Sequence, residues 1–114
     1  MHGFWEGKRV CVTGGAGFLG SFVVQRLHTL GCAEVFVPRS RDFDLRTVES
    51  IRSMLIGARP DIVIHLAARV GGIGANSSHP AEFFYDNLMM GVQLLHECWR
   101  AEVQKFVAVG TVCA

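Results

Sequence analysis

The chain has 114 residues, is 50% hydrophobic and carries a formal net charge of +1. That length holds one domain or part of one, and that composition supports a buried core with no bias toward disorder. The near-zero charge argues against nucleic acid and anionic membrane surfaces as partners, and no apolar run reaches membrane-spanning length.

The opening residues Met-His-Gly-Phe-Trp-Glu lack the pattern of a secretion signal, so a cytoplasmic protein is expected. Cys11, Cys32, Cys98 and Cys113 form no C-x-x-C pair, and the five histidines are scattered. Reduced thiols and no metal site are the expectation.

The first predicted strand is Lys8–Val12, an apolar run. A glycine turn follows it, and Phe18–Leu30 reads as the first helix, with Leu19, Val23, Leu27 and Leu30 on one face and Gly31 as its C-cap. Strand, glycine turn and helix in that order form the setting in which a glycine fingerprint binds a dinucleotide. Gly15, Gly17 and Gly20 fit G-x-G-x-x-G, and Gly14, Gly17 and Gly20 fit G-x-x-G-x-x-G. In this reading Gly14 and Gly15 make the turn and Gly17 admits the pyrophosphate. Gly20 brings the helix close to the sheet, and Ala16, Phe18 and Leu19 complete the loop and the helix start, whose free N–H groups face the anion.

The second strand is Glu34–Val37, stopped by Pro38. A dinucleotide domain that binds NAD places Asp or Glu near this point to accept from the ribose hydroxyls. Here the chain reads Arg39-Ser40-Arg41-Asp42-Phe43-Asp44-Leu45, and Arg39 follows Gly20 by 19 positions. A guanidinium suits a 2′-phosphate, which a carboxylate repels, so NADP is favoured over NAD. A solvated basic turn is the alternative, and the nearby Asp42 and Asp44 leave NAD open. Asp44 and Leu45 also suit the adenine, one taking its amino group and the other packing on its ring.

Thr47–Ile56 is the predicted second helix, with Thr47 as N-cap, Val48, Ile51 and Leu55 inward, and Gly57 and Pro60 ending it. Asp61–Leu66 is the third strand. The glycine-rich segment Arg69–His79 is expected to lie over the ligand crevice. Pro80–Arg100 is the third helix. Its stripe Phe84, Leu88, Val92, Leu95 and Trp99 is expected to face the core, and a second patch, Phe83, Met90 and Leu94, is assigned to a dimer surface. Lys105–Val109 is the fourth strand, an open apolar edge at Phe106, Val107 and Val109. His65 is read as a packed residue, and His28 and His96 as surface or boundary residues.

Alternating strands and helices with near-continuous apolar strands predict an α/β fold, the first half of a Rossmann-like, doubly wound parallel sheet. Right-handed crossovers suggest strand order 3-2-1-4, with the crevice at the carboxyl ends of the first and fourth strands. The chain is expected to be a truncated domain or one that needs a partner.

Thr13–Gly20 (TGGAGFLG) and His65–Ala68 (HLAA) resemble the extended short-chain dehydrogenase/reductase group of nucleotide-sugar epimerases and dehydratases. Arg39–Leu45 (RSRDFDL), Ala67–Asn76 (AARVGGIGAN) and Val109–Ala114 (VGTVCA) are similar, within that group, to epimerase–reductases of GDP-bound sugars. The resemblance implies epimerisation of GDP-4-keto-6-deoxy-mannose at C3 and C5, reduction of C4 by NADPH, and a homodimer. It implies that Arg39 and Arg41 hold the 2′-phosphate and that Leu66, Ala67 and Ala68 line the cofactor crevice together with Val109, Gly110, Thr111 and Val112. Thr111 matches a serine that hydrogen-bonds the substrate carbonyl, and Cys113 matches a cysteine that transfers protons in epimerisation.

Two departures stand out: Thr111 replaces the usual serine and Val112 replaces a second one. The family's Tyr-x-x-x-Lys pair is absent from these 114 residues, since Tyr85, the single tyrosine, is followed four positions on by Met89. The chain alone is therefore expected to show no turnover and weak cofactor binding. Other readings are an NAD-holding nucleotide-sugar epimerase or dehydratase, and a non-catalytic dinucleotide-binding module.

Overall fold

The computed structural model describes residues 3–39, 41–66 and 80–109. Three apolar segments and a half-apolar one form a parallel sheet: β1 (Arg9–Thr13), β2 (Glu34–Phe36), β3 (Ile62–His65) and β4 (Lys105–Ala108). The helices between them are α1 (Phe18–Thr29), α2 (Val48–Ala58) and α3 (Pro80–Arg100). These are the predicted elements, with boundaries moved by one or two residues at most ends.

Strand order corrects the expected 3-2-1-4. The sheet runs β2-β1-β3-β4, every pairing parallel. The reason is the face each helix takes. Alternation along the strands sends Val10, Val12, Ile62 and Ile64 to one face, where Leu27 and the half-buried Val23 and Val24 of α1 cover them. Cys11 and Val63 point to the other face and meet Ile51, Met54 and Leu55 of α2 and Met90, Leu94 and Cys98 of α3. A right-handed crossover on the opposite face moves the chain in the opposite direction along the sheet. Once α2 leaves the face of α1, β3 must land beyond β1. Order 3-2-1 would arise only if α1 and α2 lay on the same face.

The switch in direction therefore falls between β1 and β3, and this corrects the expected crevice between the first and fourth strands. In open parallel sheets ligands gather at the carboxyl ends of the strands that flank such a switch.

α1 ends at Thr29 with Leu30 as its C-cap in place of the expected Gly31, which follows in the left-handed region (φ +85°) with its N–H on His28 O. Leu19, expected inward, is exposed, because the first turn of α1 stands beside the glycine turn rather than over the strands. α2 starts on Thr47, whose hydroxyl accepts from Ser50 N–H at 3.3 Å. It does not stop at Gly57 but runs to Ala58, with Arg59 in the left-handed region (φ 46°) as its cap. Arg9 reaches across from β1, donating from Nη2 and Nε to Ala58 O and from Nε to Arg59 O, which satisfies carbonyls that the helix end leaves open.

α3 reverses the expected assignment of its two apolar stripes. Met90, Leu94 and Cys98 face the core, while Phe84, Leu88, Val92, Leu95 and Trp99 are exposed. The buried stripe is the slimmer one, and α3 must share its face of the sheet with Ile51, Met54 and Leu55. Glu97 lies beside this stripe, nearly covered, and accepts from Arg52 of α2 at 2.9 Å. The side chain of Phe83 lies outside the described residues.

Candidate functional site

The glycine turn leaves β1 with Gly14 at φ +77°, a conformation that an L side chain rarely adopts. Gly17 N–H closes the turn on Gly14 O at 3.1 Å. A Cβ on Gly20 would stand 2.0 Å from Gly14 O and 2.6 Å from Gly15 Cα, so the close approach this glycine permits is to the turn itself. Gly15 lies against the side chains of Val37 and Val24. The phosphate-type turn and the end of β2 are thus in contact, while Ala16, Gly17, Phe18 and Leu19 form an exposed rim. No side chain caps the start of α1, which leaves its first N–H groups turned to this rim.

Beyond β2 the chain folds back on itself. Asp42 N–H and Phe43 N–H both donate to Arg39 O, at 3.0 and 2.9 Å. Phe43 packs edge-on against Phe36, their ring centres 6.1 Å apart, which pins the turn to β2. Arg39 and Arg41 are exposed, and among the described residues neither enters an ion pair. Asp44 is engaged differently. Arg46 grips its carboxylate from Nε and Nη2, each at 3.0 Å, and the Arg46 N–H adds a third bond at 3.0 Å. These bonds hold the Asp44 carboxyl below the usual carboxylate range. Leu45 is buried in the α2–α3 core. Ser40 lies outside the described residues.

At the switch point the last residues of β1 and β3 stand side by side: Thr13 pairs in register with His65. Leu66 N–H donates to Thr13 Oγ1 at 3.1 Å, and Thr13 Oγ1 lies 2.7 Å from His65 Nδ1. The Thr13 hydroxyl and His65 Nδ1 share one hydrogen bond, whose direction follows the tautomer of the imidazole. His65 stacks on Phe106, and burial pushes its pKa below the ordinary value. Sequence reasoning gave His65 a packing role and missed this pairing. The signal was available in two polar residues ending two apolar strands that a parallel register sets opposite each other. His28 and His96 are exposed on their helices.

Leu66 and Val109 follow the ends of β3 and β4, joined through Val109 N–H on His65 O at 3.1 Å. Ala67, Ala68, Gly110, Thr111, Val112 and Cys113 lie outside the described residues, as does the segment Arg69–His79. Of the other cysteines, Cys11 and Cys98 are buried thiols whose pKa values desolvation pushes up to about 12, so both serve as core residues. No cluster of metal-ligating side chains occurs among the described residues. No described helix is long and apolar enough to cross a membrane.

A parallel sheet with helices on both faces, a glycine turn after β1 and a polar switch point together define a Rossmann-like α/β fold. The chain belongs to the NAD dependent epimerase/dehydratase family, whose pattern it matches over residues 10–114.

Among known proteins it is similar to the GDP-L-fucose synthase of Sinorhizobium fredii, at 37% identity over 95% of this chain and 34% of that protein. Among solved structures it is similar to a GDP-L-fucose synthetase from Naegleria fowleri bound to NADP, with TM-score 0.77 and 30% identity over 91% of this chain and 31% of the other. It is also similar to a Thermus thermophilus UDP-glucose 4-epimerase in complex with NAD, with TM-score 0.73 and 34% identity over 86% of this chain and 36% of the other. The chain thus spans about a third of the length of the proteins it matches.

Proposed function

We propose that this chain is the NADP(H)-binding part of a GDP-L-fucose synthase-like enzyme. Such an enzyme epimerises GDP-4-keto-6-deoxy-mannose at C3 and C5 and reduces C4. The likeness to GDP-L-fucose synthases supports the GDP-sugar substrate. The observation that carries the cofactor is the pair of exposed arginines, Arg39 and Arg41, on a turn that Val37 connects to the glycine turn.

The residues present fit the dinucleotide. Gly20 lets α1 close onto the glycine turn, Gly17 stays exposed at its rim, and the uncapped start of α1 offers donors to a pyrophosphate. Arg39 and Arg41 would take the 2′-phosphate, and Leu66 would line the crevice at the end of β3. When bound, the cofactor supplies hydride to a sugar ketone. Thr111 would donate a hydrogen bond to the substrate carbonyl, and Cys113 would carry protons at the carbons beside it. A homodimer formed through the exposed stripe of α3, in the cytoplasm, completes the proposal.

The test is a titration of the 15N-labelled chain with NADP+ and NAD+, followed by NMR, which reads weak binding. NADP+ is expected to bind about tenfold more tightly, and Arg39→Ala to remove most of that advantage. Equal affinities, or a preference for NAD+, would overturn the assignment. They would favour the second reading, an NAD-holding epimerase, which the carboxylate of Asp42 on the same turn supports.

A further inference from the structure

We infer that Arg46 is a specificity-determining residue for the dinucleotide, acting by taking the Asp44 carboxylate out of the site. This inference rests on the proposal that the turn after β2 receives the adenosine end of the cofactor.

Residues 39–46 carry three arginines and two aspartates. Without Arg46 the segment is neutral, and Asp44 is an open acceptor of the kind that grips a ribose diol with two oxygens. With Arg46 in place both changes are reversed. The segment has a surplus positive charge, and Asp44 accepts three bonds at 3.0 Å, two of them on Oδ1. A fork-to-fork pair of this kind fixes the direction of the carboxylate as well as its charge. The guanidinium is steadied from α3, where Asp86 Oδ2 lies 3.9 Å from Nη1. Arg39 and Arg41 are exposed cations outside any ion pair among the described residues, Arg46 is a half-exposed one held by its pair, and Asp42 is an exposed carboxylate.

Arg46 thus does two things without touching the ligand. It withdraws a carboxylate that would repel a 2′-phosphate, and it occupies the acceptor that would reward a free 2′-hydroxyl. Both effects favour NADP over NAD.

The experiment measures NADP+ and NAD+ affinities by NMR titration of the labelled chain and of three variants. In Arg46→Ala the ratio of the two affinities is expected to fall about fivefold toward NAD+. Arg46→Lys keeps the charge but not the fork, and is expected to fall about twofold. In the double variant Arg46→Ala, Asp44→Asn the preference for NADP+ is expected to return, since no carboxylate is left to release. An unchanged ratio in Arg46→Ala and Arg46→Lys, with the parent chain still preferring NADP+, overturns the role of Arg46 alone. A parent chain that prefers NAD+, or that binds neither dinucleotide, overturns the cofactor proposal and this inference together.

Discussion

His65 and Thr13 form a buried polar pair in a sheet end that is otherwise apolar, and their chemistry has a pH signature. Burial lowers the His65 pKa in the folded state from its ordinary 6.5. The unfolded chain therefore takes up the proton first, so stability is complete above about pH 6.5 and declines as the pH falls below it. His65→Asn places an oxygen near the position of Nδ1 and cannot titrate. Its denaturation midpoint is expected to stay flat between about pH 7 and pH 5, where the parent chain loses stability. A parallel decline in both would show that another group is responsible. Asp44 and Glu97 act in a lower window. Their folded-state values are lowered by Arg46 and Arg52, so their contribution is lost only below ordinary carboxylate values of 3.8 and 4.5. At this scale the glycine turn was legible because backbone geometry restricts its positions to glycine. The Thr13–His65 and Asp44–Arg46 pairs were not, since neither is visible until register and loop shape bring the partners together.

Elements were legible where a stop signal accompanied a periodic run. Pro80 and the apolar spacing marked α3 to the residue, and Thr47 marked the start of α2. The end of α2 was misread because Gly57 looks like a terminator. A Cβ there would meet nothing within 4 Å, so the glycine is merely tolerated, and the true stop is Arg59 beneath the Arg9 guanidinium. Arg9 also pairs with Glu34 at 2.8 Å, so it ties β1 to both β2 and α2. Arg9→Met is expected to destabilise the fold by about 1–2 kcal/mol, because the carbonyls of Ala58 and Arg59 lose a charged donor in a partly covered site. Urea denaturation checks this, and a change under about 0.3 kcal/mol would mean that water replaces the guanidinium without loss. The two stripes of α3 show what periodicity withholds. Both recur at helical spacing, and only the space available beside α2 decides which one is buried.

At the scale of the whole molecule, class and layer arrangement were readable from alternation alone, but strand order was not. Handedness constrains a crossover only after the face of its helix is known, and the apolar face of α2 fits either side of the sheet. The same molecule leaves a broad apolar strip uncovered along α3, with Phe84 68%, Leu88 51% and Trp99 73% exposed. In the proposed homodimer this strip forms the interface. With the proposed homodimer, sedimentation should show a concentration-dependent dimer, and Leu88→Glu should shift it to monomer by at least about tenfold in dissociation constant. A parent chain that sediments as a monomer at high concentration would remove the homodimer from the proposal.

Among the described residues every strand pair is parallel, and this bears on how the chain reaches its fold. Among the described residues no hairpin is available as a local seed. The central contact between Thr13 and His65 closes a span of 52 residues, so the loop entropy is lost before any ladder bond rewards it. Asp61 then knits the far end in one stroke: its carboxylate accepts from Arg9 N–H, its own N–H bonds Arg9 O, and its carbonyl accepts from Gln104 and Lys105. Refolding of this chain is accordingly expected to be slow, limited by the meeting of β1 and β3. Until β1 and β3 meet, their apolar faces stay open to other copies, and yield on refolding is expected to fall as concentration rises.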